Sequence, residues 1–119
     1  MSSSAFFRIS AAFGFVAVAL GAFGAHGLKG LLAANGSAAI WDTAVLYHLV
    51  HAVVLLFAAS REPLPRSAWW LFAVGVLVFS GTLYVLAVTS VRWLGAITPL
   101  GGLCLLGGWL VLALRGRGN

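Results

Sequence analysis

Tyr47, His48 and His51 stand in "AVLYHLVHAVVLLFAAS", residues 44–60, a run otherwise composed for hydrocarbon. Two imidazoles and a phenol so placed can bind a metal, pass a proton, or hold a polar group by hydrogen bonds. On a helix His48 and His51 are i and i+3 and share a face, while Tyr47 and His51, at i and i+4, flank the same stripe. A second run, "FSGTLYVLAVTS", carries Ser80, Thr82 and Tyr84, and a third, "ITPLGGLCLLGGW", carries Thr98 and Pro99. The remaining histidine is His26, in "GAFGAHG".

Each chemistry makes its own demands. A zinc site wants three or four ligands, and His26, His48, His51 and Asp42 are the candidates. His26 falls about two turns above His48 in depth, and Asp42 lies off the histidine face, so no metal is expected. A haem has no attachment motif here and the chain is small for enclosing a macrocycle, so no cofactor is expected either. Proton-coupled pumps usually carry an intramembrane carboxylate, but Asp42 lies at an interface and Glu62 in a basic loop. His51 would have to carry the proton alone. There is no nucleophile elbow and no acid placed to orient an imidazole, so an enzyme is not expected. Hydrogen bonding remains, to a ligand or between helices.

The elements that position these residues follow from composition. The 119 residues are 62% apolar and 8% charged, which a soluble core of this size cannot absorb. Four apolar stretches, at about 6–25, 41–60, 68–89 and 94–114, approach the ~20 residues that a helix needs to cross a ~30 Å hydrocarbon core. Short connections make them antiparallel neighbours, giving an all-α, four-transmembrane-helix up-down bundle in one domain. The first stretch exceeds a secretory-signal core, and its Ala17, Gly21 and Ala25 have the small-xxx-small spacing of a packing face. Gly101, Cys104 and Gly108 form a second small stripe. "HGLKGLLAANGSAAI", with Leu28, Leu31 and Leu32 on one side, reads as a short amphipathic segment at the interface.

Charge gives the orientation. Arg8, Arg61, Arg66, Arg115 and Arg117 fall on one side and Lys29 and Arg92 on the other, so both termini face the cytoplasm. Trp69 and Trp70 at one face, with Trp41 and Trp93 at the other, suit an aromatic belt. The net charge of +5 forms no continuous stripe that could follow phosphates, which excludes nucleic acid as a partner. A lone Cys104 excludes an intramolecular disulfide.

Depth then gathers the polar residues into one layer. Entering near Trp41 at 1.5 Å per residue, His48 lies ~10 Å and His51 ~15 Å below the outer surface of the core. Counting back from Thr89 sets Tyr84 at ~8 Å, Thr82 at ~11 Å and Ser80 at ~14 Å. Thr98 can serve as N-cap with Pro99 at the first helical position, submerging a helix start that would favour an anionic or carbonyl oxygen. Alternatively Pro99 kinks a longer helix and Thr98 repairs the backbone.

"ALGAFGAHGL", "WDTAVLYHLVHA", "FSGTLYVLA" and "GAITPLGGLCLLGGWL" occur in the order and spacing of the transmembrane protein 256 family, also catalogued as domain of unknown function family 423. The resemblance runs from about residue 19 to 112. It matches the family motif at Gly21, Gly24, Ala25, His26, Trp41, Tyr47, His51, Ser80, Gly81, Tyr84, Thr98, Pro99, Gly101, Gly102 and Trp109. Position 48 departs, since relatives often carry glutamine where this chain has His48. The resemblance implies a small four-helix protein of the bacterial inner membrane, with mitochondrial relatives in animals and no established activity.

Three function classes follow. The favoured one is a binding or transport protein among membrane lipids, working as a homo-oligomer, with His51, Tyr47, Tyr84 and the Thr98–Pro99 helix start lining an outward-facing pocket. The alternative is an accessory subunit that packs its glycine faces against a larger membrane complex. A metal or haem protein is the third.

Overall fold

The computed structural model of the chain describes residues 1–118. Backbone groups in hydrocarbon must be paired within their own element, and the described chain is helical almost throughout. Its helices are α1 (Ser3–Ala25), α2 (Lys29–Asn35), α3 (Ala38–Ala59), α4 (Arg66–Thr89) and α5 (Leu94–Arg115), followed by a 3-10 turn, Gly116–Gly118. Four of them, α1, α3, α4 and α5, are long and apolar enough to cross a membrane. Their limits differ from the expected ones by about three residues or fewer; α1 starts early because the Ser2 hydroxyl accepts the Ala5 N–H at 3.1 Å and caps it.

The expected interfacial segment is α2. It ends at Gly36, whose φ of 62° is the left-handed conformation that glycine adopts freely. Asn35 Nδ2 then donates to the Ala87 carbonyl at 3.1 Å and the Ser37 hydroxyl to the same oxygen at 2.6 Å. These side chains satisfy a carbonyl left over in the last turn of α4, and they fasten α2 over that end of the molecule with Leu32 buried beneath it. At the opposite end Arg61 bonds the Arg117 carbonyl, Arg66 the Met1 carbonyl, and Arg115 the Ser67 hydroxyl. Both termini therefore meet the α3–α4 connection at one end.

The helices form a central pair, α3 and α4, with α1 along α3 and α5 along α4. Among the described residues the backbones of α1 and α5 do not approach each other. Contact between α1 and α4 comes through side chains at the terminal end, where Phe6 meets Trp69 edge-on at 4.8 Å and the Trp69 indole donates to Ser10 Oγ at 2.8 Å. Two of the tryptophans expected in an aromatic belt are thus structural ties instead. Trp69 is buried, and so is Trp41, whose indole donates to the Leu20 carbonyl at 3.0 Å. An indole N–H that finds a carbonyl inside the protein has no need of the headgroups. Trp70 and Trp93 stay exposed.

Glycines set how closely the helices approach. On α1, Ala17 is fully buried and Gly21 faces Val45, but Ala25 is exposed and its neighbour Gly24 makes the close contact. Seven residues return a helix to within ~20° of the starting face, whereas eight overshoot by ~80°. A Cβ on Gly24 would collide with the Trp41 indole. On α5 the seam runs Gly101, Leu105, Gly108, with Cys104 only partly buried beside it. A Cβ on Gly101 would meet the Phe79 backbone, and one on Gly108 the Phe72 ring at 2.7 Å.

Adjacent glycines make the test. A Cβ on Gly102 would sit 3.8 Å from the Phe79 ring, an ordinary contact. Gly101→Ala is expected to destabilise the protein by about 2 kcal/mol through overpacking, and Gly102→Ala to be neutral or stabilising by up to ~1 kcal/mol from helix propensity. Thermal unfolding of both variants in the same detergent checks the order.

Candidate functional site

The two central histidines face different neighbours. Three residues advance a helix by about 300°, leaving ~60° between i and i+3, and α4 occupies that wedge. His48 turns toward α1 and Tyr84, while His51 turns toward α5 and Trp109. The expected shared face is therefore split between two grooves.

On the α1 side, His48 Nδ1 and the Tyr84 hydroxyl are hydrogen-bonded at 2.8 Å. The Phe13 ring stands edge-on to the imidazole at 6.2 Å, with the Phe13 backbone beside it. Trp41 packs on Tyr84 at 4.7 Å, and the Ser80 hydroxyl donates to the Ala44 carbonyl at 2.8 Å. A groove of about 380 Å³ runs here between α1 and α4, with His48, Ser80, Gly81 and Tyr84 in its wall. The Trp41–Leu20 bond lies toward its α2 end and the Phe6–Trp69–Ser10 cluster toward the other. Its remaining walls are aliphatic or aromatic, and its polar side chains already have partners.

On the α5 side, His51 Nδ1 lies 2.8 Å from the Tyr47 carbonyl, and Nε2 lies 3.1 Å from the Trp109 indole nitrogen. A carbonyl only accepts, so Nδ1 carries the proton; an indole only donates, so Nε2 presents its lone pair. Both ring nitrogens are thereby used. A proton or metal at Nε2 would have to displace Trp109. Tyr47 lies against Phe79 at 4.5 Å and is stacked on His51, yet it is 40% exposed and its hydroxyl has no hydrogen-bond partner among the described residues. This second groove, about 460 Å³, is lined by Tyr47, His51, Phe79, Pro99, Gly102 and Trp109 among others.

Thr98 and Pro99 do not begin a helix. Because α5 starts at Leu94, Pro99 lies inside it. Thr98 is buried, 2.6 Å from the Thr82 hydroxyl and 3.2 Å from the Leu94 carbonyl, while Thr82 donates to the Val78 carbonyl at 2.7 Å. Threonine hydroxyls that bond the backbone let a proline sit within a spanning helix. The submerged helix end, and the oxygen-binding position expected of it, are not formed. Thr98 joins α4 to α5, and Pro99 alone of the two lines the second groove.

His26 is exposed at the end of α1 and lines neither groove. Among the described residues no three of His, Cys, Asp and Glu come together as a metal site. The single pocket expected from Tyr47, His51, Tyr84, Thr98 and Pro99 is divided, since Tyr84 belongs to the first groove and Tyr47, His51 and Pro99 to the second. Sequence reasoning missed Trp109 as the partner of His51. Depth arithmetic contained the signal: at 1.5 Å per residue Trp109 lies ~22 Å from Leu94 and His51 ~20 Å from Ala38, helix ends that share one side.

Residues 20–102 match the model of a family described as "Protein of unknown function (DUF423)", and the chain belongs to that family. It is 43% identical over 103 residues to the UPF0382 membrane protein SH2409 of Staphylococcus haemolyticus, covering 83% of this chain and 84% of that one. It is 42% identical over 105 residues to the UPF0382 membrane protein YwdK of Bacillus subtilis, covering 83% and 85%. A UPF0382 membrane protein of Haemophilus influenzae is 41% identical over 107 residues, covering 84% and 83%. No solved structure matches the chain significantly. The protein is a membrane protein like these relatives.

The His51 tautomer is directly measurable. Nitrogen NMR on selectively labelled protein is expected to find His51 neutral with hydrogen on Nδ1. Trp109→Phe should leave Nε2 without its donor and lower stability by about 1 kcal/mol. Finding the hydrogen on Nε2 would mean that the Trp109 bond is not made.

Proposed function

We propose that this protein is a binding protein of the bacterial cytoplasmic membrane, with both termini inside, that takes a lipid-soluble ligand sideways from the bilayer into the α3/α5 groove. One observation carries the reading: the Tyr47 hydroxyl stands at that groove, partly exposed and without a hydrogen-bond partner among the described residues. A polar group in hydrocarbon that lacks a partner costs several kcal/mol. An occupant with a hydrogen-bonding atom removes that cost. The partly exposed Trp109 and the exposed Pro99 supply apolar surface for the rest of the ligand.

Binding without translocation fits the remaining chemistry. Asp42 lies in the second turn of α3 and Glu62 outside the spans, so neither offers a carboxylate at mid-membrane. His51 has committed both ring nitrogens, which argues against a proton carrier and against a catalytic base. Orientation rests on Arg8, Arg61, Arg66, Arg115 and Arg117 at the terminal end. The ligand is drawn from the lipid phase because the groove opens among lipid-facing residues such as Leu103 and Leu106, both more than 60% exposed.

Native mass spectrometry of protein extracted directly into lipid discs tests this. The wild type should retain a reproducible small extra mass, and Tyr47→Phe should reduce the retained fraction about three- to tenfold, the effect of one hydrogen bond. Thermal stability should not change. Equal retention by the variant, or an extra mass made of other protein chains, would overturn the reading and favour an accessory subunit.

A further inference from the structure

The chemistry of the α3/α5 groove narrows what it holds. Resting on the binding role proposed above, we infer that its occupant is a neutral, ring-bearing carbonyl compound with an apolar tail, of the prenylated quinone type. Depth is the first ground. Tyr47 lies ~14 Å along α3 from Ala38, and Phe79, against which its ring is held at 4.5 Å, lies ~15 Å along α4 from Thr89. The phenol is thus more than two turns inside the span, and its ring is held against Phe79 at mid-helix, away from the headgroups. Ester carbonyls of phospholipids stay at the edge of the hydrocarbon core, so the acceptor for Tyr47 belongs to a molecule that dissolves within it.

Charge and shape supply the other grounds. Among the described residues no Asp, Glu, Lys or Arg lines the groove, which disfavours an ionic head. Phe79, Trp109 and Pro99 line it together with Tyr47, and such flat faces suit a planar ring better than a flexible acyl chain. A pure hydrocarbon chain would leave the hydroxyl unpaired, whereas a ring carbonyl accepts its proton. Among the described residues Tyr47 is singular in this respect. The other N- or O-bearing side chains of the spans that lack a bond lie within about two turns of a helix end, where water or headgroups reach them. By contrast Tyr84, the second tyrosine, is already paired with His48.

The probe is decylubiquinone, titrated into lipid discs holding the full chain and followed by quenching of its tryptophan fluorescence. Saturable quenching is expected, weakened about three- to tenfold by Tyr47→Phe. Gly102→Val, which grows a side chain into the groove while leaving the hydroxyl in place, should weaken it as well. Decyl alcohol, which has the tail and a hydroxyl but no ring, should not compete. Quenching that rises linearly as simple partitioning, is unchanged in both variants, or is abolished by decyl alcohol would overturn the inference. Protein that keeps its extra mass in native spectra yet fails to saturate with decylubiquinone would sink the quinone class alone. Loss of both signals would sink the binding role with it.

Discussion

Hydrocarbon offers no hydrogen bonds, and this one constraint decides where nearly every polar side chain of the spans must go. Each contact between spanning helices carries a polar tie: Trp41 to Leu20 for α1 and α3, Ser80 to Ala44 and His48 to Tyr84 for α3 and α4. Thr82 with Thr98 joins α4 to α5, Trp69 with Ser10 joins α4 to α1, and Trp109 with His51 joins α5 to α3. Such bonds average only ~0.6 kcal/mol in membrane proteins. Their weight lies in the alternative, because a helix that slides or rotates strands a donor in lipid. They fix register more than they add stability.

Three of these bonds form where glycine lets one helix come close to another. Lipid tails are as apolar as leucine, so helices associate by packing. Gly24 leaves room for the Trp41 indole to lie on α1, and from there its N–H reaches the Leu20 carbonyl. Gly101 lets α5 approach the Phe79 backbone, and one turn away in each helix stand Thr98 and Thr82 at 2.6 Å. Gly108 admits the Phe72 ring, against which Trp109 packs at 5.3 Å on its way to His51. Glycine-to-alanine changes along these seams are therefore polar lesions as well as steric ones.

Much of this was readable in advance, for reasons that also explain what was not. Helix number and length follow from composition and the thickness of the core. Depth follows from a constant rise per residue, which sets His48 and Tyr84 within ~2 Å of one level; they are hydrogen-bonded. Azimuth is different. Whether His48 and His51 share a pocket depends on which neighbour fills the ~60° between them, and that depends on α1 and α5 flanking the α3/α4 pair instead of closing a ring. Chain order does not settle the choice. Trp41 and Trp69 misled for a related reason: an indole near a helix end suits the membrane interface and a buried carbonyl equally well, and only the neighbouring helix decides. Pro99 was legible as a defect, but whether it starts α5 or interrupts it turned on where the preceding loop delivers the chain.

The two tyrosines show how function separates from structure under this constraint. Both lie on spanning helices, and both carry a hydroxyl that lipid cannot satisfy. Tyr84 meets His48 and becomes part of the frame. Tyr47 sits beside His51, whose Nδ1 is taken by the Tyr47 carbonyl and whose Nε2 is taken by Trp109. The nearest imidazole is thus closed to the phenol, by one bond within α3 and by the Trp109 bond that fastens α5 to α3. A chain needing only stability would be served at position 47 by phenylalanine, which packs on Phe79 as well and leaves nothing unpaired. Keeping the hydroxyl there makes physical sense when something else supplies its partner.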